Sequence, residues 1–340
     1  MNPKAKVGLG LLISAGFLWW AFHGEDLGAI ARRLAEADLL WLIAAGAIST
    51  SGGVIRAIRW KLLLEPVAPD VSFGARWASL NVGFMVTNVY PARFGEVVRP
   101  YALSRIAPVS MSGALGTIVL ERALDTVALL AILLVTLLAP GFPQDATVLG
   151  RPISLAVTGA VVLCVVILVL LAAMVAFPDR LLAITRSLAR TFSPDLEEKV
   201  ASRLDGFLRG LVVLRDPGTL ARAFGWSVVL WLWMAASFWA AFRAFEIELG
   251  VVAAVFTQCA VSVFVAIPAA PGFIGTMQAG VAVSVQEIFG VAAEPTLSLA
   301  LGYHLAGYIP VTLLGLYYAS RIGLNVRDAA AAAESEMGEG

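Results

Sequence analysis

The 340-residue chain is 59% hydrophobic and 14% charged, and its 24 Lys/Arg are balanced by 24 Asp/Glu. A soluble domain carries about 25% charged residues, so the totals point to a polytopic helical membrane protein, and zero net charge argues against a nucleic-acid partner. Cys164 and Cys259 lie far apart inside apolar blocks, and His23 and His304 are too few for a histidine-rich centre, so no disulfide, metal site or other cofactor is expected.

In chain order, residues 7–22 are apolar and follow Lys4 and Lys6. That pattern also fits a signal peptide, but FHGED follows without an A-x-A-like cleavage site, so the block reads as a retained anchor. Residues 23–38 read as a mixed loop. A second span, 39–55, runs into Arg56, Arg59, Trp60 and Lys61, which together read as a basic, aromatic interface anchor. Residues 81–105, NVGFMVTNVYPARFGEVVRPYALSR, begin apolar and become polar. Pro91, Arg93, Gly95, Glu96 and Arg99 fall within nine positions, which no lipid-facing helix tolerates. Irregular backbone survives at membrane depth only where protein or a water-filled cavity satisfies its polar groups. The stretch at about 77–105 therefore reads as a re-entrant hairpin lining a cavity.

Residues 112–138 form a long apolar helix that carries Glu121, Arg122 and Asp125 and stops at Pro140-Gly141. A featureless span, 152–177, precedes a hydrophilic segment, 178–225, whose eight Lys/Arg suit amphipathic helices on the cytoplasmic surface. Another span, 226–242, leads to 250–290, where PAAPGFIG interrupts an apolar run and a second hairpin is expected. The last span is 295–320, and the alanine- and glutamate-rich tail, 328–340, reads as disordered. Residues 1–327 are thus one integral-membrane domain.

Orientation follows from counting. With a cytoplasmic N-terminus, six full transmembrane helices and two re-entrant hairpins, sixteen Lys/Arg fall on the cytoplasmic side and four outside. A full crossing by the first hairpin would move the eight basic residues of 178–225 to the wrong face. The fold class is therefore all-α, with both termini cytoplasmic, the first hairpin entering from the cytoplasm and the second from the far side. Both hairpins run P-x-x-x-G, Pro91 to Gly95 and Pro271 to Gly275, with a polar side chain following, Glu96 or Gln278. Opposite entry and a shared local pattern suggest an inverted repeat, which in transporters places the binding site near the midplane.

A charge at a helix centre costs about 2.5–3.5 kcal/mol on insertion scales, so Arg93, Glu96, Arg99, Glu121, Arg122 and Asp125 must pair or face water. Glu121 and Asp125 share a helix face, and Arg122 and Asp125 can pair locally. Arg93 and Arg99 are then available for a phosphate, which guanidinium forks suit, with Asn88 and backbone N–H groups as further donors. The competing reading is a charge network that only locks the hairpin. Arg56 and Arg59 read first as interfacial anchors and secondarily as site residues. In the second hairpin Pro268, Pro271, Gly272 and Gly275 force a bare backbone turn, either for packing or for close approach to a headgroup. Gln278 can hydrogen-bond but not relay protons. His304 and Tyr308 share a face of the last span, where a buried, satisfied histidine competes with a proton relay. Trp19, Trp20, Trp60, Trp231, Trp233 and Trp239 are assigned to interface belts or lipid contacts.

The strings RAIRW, NVYPARFGEVVRPYALSR, TIVLERALD and IPAAPGFIGTMQ resemble the lysylphosphatidylglycerol synthase transmembrane family, a flippase-like domain, over nearly the whole chain. The resemblance puts its signature on Pro91, Arg93, Gly95, Glu96 and Arg99, its helix motif on Glu121, Arg122 and Asp125, and its turn on Pro271, Gly272 and Gly275. The chain departs from it at Phe273, where a second glycine is common, and at Gln278, where an acid is common. The latter departure puts proton coupling in doubt. No aminoacyl-transferase domain is expected, so the chain resembles a stand-alone member that does not synthesise aminoacylated lipid.

The resemblance implies a lipid transporter or flippase of the inner (plasma) membrane rather than an enzyme. Its partner would be a phosphate-bearing lipid (phospholipid, aminoacylated lipid or polyprenyl phosphate), with a homodimer left open. The rival readings are a non-catalytic assembly partner of an envelope enzyme, and a lipid-modifying enzyme with Glu121 or Asp125 as base.

Overall fold

Helix capping begins the departures from the sequence reading. Pro3–Phe22 forms helix α1. The following segment, expected to be a loop, contains α2, Leu27–Ala35, because the Asp26 carboxylate accepts from the backbone N–H of Gly28 at 2.8 Å and Ala29 at 3.1 Å. Asp38 caps α3, Leu39–Leu64, in the same way. The computed structural model describes residues 3–90, 94–143, 145, 147–148, 151–190 and 194–324. Arg93 and the tail 328–340 lie outside the described residues.

Helix α3 continues well past the expected boundary at residue 55. Arg59 and Trp60 are 0% exposed and Arg56 is buried, so these three are interior groups and not the interface anchor expected. Acidic partners on another helix, described below, make that burial tolerable. Ser72 caps α4, Phe73–Val89, and α5, Gly95–Ile106, lies against it. The contact is so close that a methyl group at Gly95 would run into the Gly83 carbonyl and the Thr87 hydroxyl. Helix α6 is Met111–Leu137, capped by Ser110.

After a two-residue antiparallel pairing, Thr147 with Pro152 and Val148 with Arg151, come α7, Ile153–Ala176, α8, Pro178–Arg190, and α9, Pro194–Gly210. Helices α8 and α9 are amphipathic, but α9 is no free surface helix. Gly206 and Gly210 pack directly on Gly113 and Gly116 of α6, and a methyl at Gly210 would sit 2.8 Å from the Thr117 nitrogen. Helix α10, Pro217–Ala244, starts earlier than the expected residue 226 because Asp216 caps it and Pro217 suits its first turn. Then come α11, Val251–Ala266, a 3₁₀ turn at Pro271–Phe273, α12, Thr276–Val281, which continues as a π-helix over Ala282–Ile288, and α13, Ala293–Arg321.

Among the described residues four helices, α3, α7, α10 and α13, are long and apolar enough to cross a membrane. Six were expected. The apolar stretch of α1, Gly8–Phe22, is short, and α6 has the length but carries Glu121, Arg122 and Asp125. The chain is an essentially all-helical membrane protein.

Packing pairs α3 with α10 and α13, α4 with α5 and α13, and α6 with α9. One apolar cluster gathers Phe238, Phe242, Val281, Leu299 and Tyr303, and another gathers Trp60, Leu63, Leu120, Leu211 and Ala223. Helices α3 and α10 run through both, with Ala45 and Phe238 in the first and Trp60 and Ala223 in the second. Polar residues midway along these two helices are therefore held where the clusters meet.

Candidate functional site

At that junction α3, α5 and α6 bring charge together, and α10 adds neutral hydrogen-bond partners. Glu121 and Asp125, one turn apart on α6, are both buried. Arg99, one turn into α5, reaches Glu121 with both arms of its fork, at 3.0 Å and 3.0 Å, the bidentate geometry that makes guanidinium–carboxylate pairs strong. Its guanidinium also lies 3.7 Å from the centre of the Trp60 ring. Trp60 is held in turn by donating its indole N–H to Thr117 Oγ1 at 2.9 Å. Arg59 binds both oxygens of Asp125, approaches Glu121 at 3.2 Å and donates to Ser227 on α10 at 2.5 Å. Trp231, one turn further along α10, donates its indole N–H to Asp125 at 3.1 Å.

Two further arginines complete the network. Arg56 approaches Asp125 at 3.4 Å and Glu121 at 4.0 Å, between the rings of Trp231 and Phe84. Arg122 contacts Glu121 at 2.5 Å and Asp125 at 3.2 Å, with its side chain 34% exposed. The Nε atoms of Arg59, Arg99 and Arg122 are buried without a hydrogen-bond partner among the described residues.

Arg56, Arg99 and Arg122 all line one cavity of about 220 Å³. Its other polar walls are Thr87, Asn88 and Glu96, and its apolar walls include Phe84, Ile118, Trp231 and Phe273. Four guanidiniums thus meet two buried carboxylates behind the cavity, and Glu96 lines the cavity itself.

The second broken segment closes the other side. Its turn holds Gly272 at φ 67°, Phe273 at φ 62° and Gly275 at φ 90°. Left-handed backbone is easy for glycine but strained for phenylalanine, and Phe273 is where the family resemblance implies glycine. The Gln278 side chain accepts from the Gly275 N–H at 2.8 Å, which turns its amide nitrogen toward His304 Nδ1 at 2.9 Å. Nδ1 must then accept, so Nε2 carries the proton and donates to the Gly272 carbonyl at 2.8 Å. Both ring nitrogens of His304 are therefore engaged.

One turn along α13, the Tyr308 hydroxyl donates to the Asn88 carbonyl at 3.2 Å, and one turn further Thr312 accepts from the Asn88 side chain at 2.9 Å. A single face of α13 thereby ties the turn after α11 to the end of α4. A methyl at Gly272 would lie 2.6 Å from the Tyr308 ring.

Of the residues singled out in the sequence, Asn88, Glu96, Arg99, Arg122 and Arg56 line the cavity. Glu121, Asp125 and Arg59 form the buried network behind it. Gly272, Gly275, Gln278, His304 and Tyr308 build the facing turn. Arg93 lies outside the described residues. The roles of Trp60 and Trp231 differ from expectation: both are buried and hydrogen-bonded within the network, not in interface belts. Ser227 carried no sequence signal.

The model of the lysylphosphatidylglycerol synthase transmembrane region matches residues 7–315. The chain belongs to this family. The match takes in every residue that lines the cavity. A UPF0104 membrane protein of Methanothermobacter thermautotrophicus is 24% identical over 319 residues, covering 88% of this chain and 92% of that one. Two UPF0104 membrane proteins of Methanocaldococcus jannaschii are similar over shorter stretches. One is 21% identical over 231 residues, 68% of this chain and 91% of its own. The other is 27% identical over 118 residues, 34% of this chain and 35% of its own.

Proposed function

We propose that the chain is a lipid transporter of the inner (plasma) membrane that draws the phosphate of a lipid headgroup into the cavity between its two broken segments. In this reading α4–α5 and α11–α12 are re-entrant hairpins entering from opposite faces as an inverted repeat. Helices α1, α3, α6, α7, α10 and α13 are the six spans, and both termini are cytoplasmic.

The observation that carries the reading is a charge excess at the cavity. Among the described residues Arg56, Arg59, Arg99 and Arg122 stand against Glu96, Glu121 and Asp125, so these seven side chains carry one positive charge in excess at and behind the cavity. An arriving anion supplies the missing charge, and an opposite charge at 4 Å is worth about 4 kcal/mol at an effective dielectric of 20. From the sequence alone, Arg93 and Arg99 are the residues expected at the phosphate. With both arms of Arg99 on Glu121, the phosphate contacts pass to Arg56, which stands 3.4 Å or more from either acid, and to Arg122, whose side chain is 34% exposed. The cavity, about 220 Å³, is smaller than the roughly 300–1,000 Å³ of a site enclosing a whole drug-sized ligand. It suits a headgroup phosphate whose tails stay in the hydrocarbon.

The test is a vesicle assay with a fluorescent phospholipid and a membrane-impermeant quencher. Wild-type protein exposes inner-leaflet lipid to the quencher. Arg56→Ala and Arg122→Ala each slow that exposure about tenfold or more, equivalent to about 1.4 kcal/mol, while eluting as folded protein. Equal rates for wild type, variants and empty vesicles would refute the reading.

A further inference from the structure

Beside the charged cavity runs a long apolar groove between α3 and α13, with Trp77 of α4 at one end and a volume of about 830 Å³. Its floor is made of small residues, Gly46 and Ala47 on α3 and Gly302 and Ala306 on α13. The helices touch there: a methyl at Gly46 would lie 2.6 Å from the Ala306 carbonyl oxygen. Its rims are large and exposed, Ile43 at 59% and Ile309 at 51%. The groove therefore opens onto the surface that α3 and α13, both candidate spans, offer to hydrocarbon.

We propose that this groove is an acyl-chain site, holding the tails of the same lipid whose phosphate occupies the cavity. The inference rests on the phosphate reading above and adds the chemistry of the other end of the substrate. Two observations select the occupant. The first is continuity. Trp77 lines the groove and Phe84, two turns on along the same face of α4, lines the cavity, while Pro310 and Val311 are neighbours in sequence that line one each. Along α3 the groove ends at Ser51 and the cavity begins at Arg56, about 7.5 Å at 1.5 Å per residue. That separation is of the order of a glycerol linkage between phosphate and tail.

The second observation is length. The groove follows α3 from Leu39 to Ser51, roughly 18 Å at 1.5 Å per residue, close to half of the ~30 Å hydrocarbon core, the depth that the acyl tails of one leaflet occupy.

The experiment uses the full chain in phosphatidylcholine–phosphatidylglycerol vesicles doped with a phospholipid bearing a diazirine in one acyl chain. After photolysis, adducts are mapped by mass spectrometry. We expect labelling at Ile43, Ala47 and Ile309 at least fivefold above that at Val162, Leu163 and Val169 of α7, an equally exposed apolar face. Ala47→Trp, which fills the groove, should abolish the excess. Groove labelling no higher than that of α7 overturns the proposal, as does an adduct joining Ile43 to another copy of the chain. If Ala47→Trp fails to fold, the wild-type map alone decides. Arg122→Ala separates the two readings. Loss of groove labelling ties tail to phosphate and supports the proposal. Retained labelling with undiminished lipid transport overturns the phosphate reading and the claim that one lipid spans both sites.

Discussion

Replacing Glu121 by glutamine keeps the shape of the buried network and removes one charge. Glu121 is 0% exposed and touches Arg99 twice at 3.0 Å, Arg59 at 3.2 Å and Arg122 at 2.5 Å. Removing one partner of a buried ion pair costs about 3–5 kcal/mol, because the remaining charges stay in low dielectric uncompensated. An unfolding entropy of about 2.1 cal/mol/K per residue, applied to a chain of this length, gives about 0.7 kcal/mol/K. Tm should then fall by about 4–7 °C when unfolding of the detergent-solubilised protein is followed by tryptophan fluorescence. The same substitution frees the fork of Arg99 beside the cavity, so added inorganic phosphate should raise Tm further in Glu121→Gln than in wild type. A Tm within about 1 °C of wild type would show that the network does not hold the fold, and equal phosphate stabilisation of both proteins would show that it does not border an anion site.

Gly95→Ala forces a methyl into the Gly83 carbonyl and the Thr87 hydroxyl. Separation of α5 from α4 should lower both folded yield and lipid transport, whereas Gly218→Ala, whose methyl would meet only the Asp216 carboxylate at an ordinary 3.4 Å, should leave both unchanged. Tyr308→Phe removes the bond to the Asn88 carbonyl and should cost about 0.5–1.5 kcal/mol, read as faster hydrogen exchange at the end of α4; unchanged exchange would contradict the strut assigned to α13. Phe273→Gly removes left-handed strain of about 1–2 kcal/mol together with an aromatic wall of the cavity. Transport of large headgroups should gain on small ones, and unaltered selectivity would remove Phe273 from the cavity wall.

Much of the site was legible because charge inside an apolar run has few explanations. Glu121, Arg122 and Asp125 interrupt one long helix, and Arg99 follows a proline-broken turn, so their meeting could be argued from the cost of burying them singly. Arg56 and Arg59 were harder to place. A basic cluster after an apolar span looks the same whether it meets headgroups or carboxylates, and the carboxylates lie on a helix more than sixty residues away. Trp60 and Trp231 misled for the same reason, since an indole that wants one hydrogen bond finds it equally at the interface or in a buried network. The left-handed φ of Phe273 could not be read from a residue that seldom adopts it. The extra length of α10 was written in Asp216-Pro217, a cap signal inside a stretch that looked uniformly hydrophilic. Helix α2 was likewise announced only by Asp26.

The separation of Arg59 from Asp125 also sets an order of events during synthesis. The acid is made 66 residues after the base, which at 5–20 residues per second is roughly 3 to 13 s. Trp231, which also binds Asp125, follows 106 residues later still. Through that interval Arg56 and Arg59 of α3 have neither Glu121 nor Asp125 to meet them, so their burial beside α6 is completed only when α6 arrives. A truncation ending before residue 121 should therefore leave Arg59 open to water-borne reagents that the complete protein, in which it is buried, excludes.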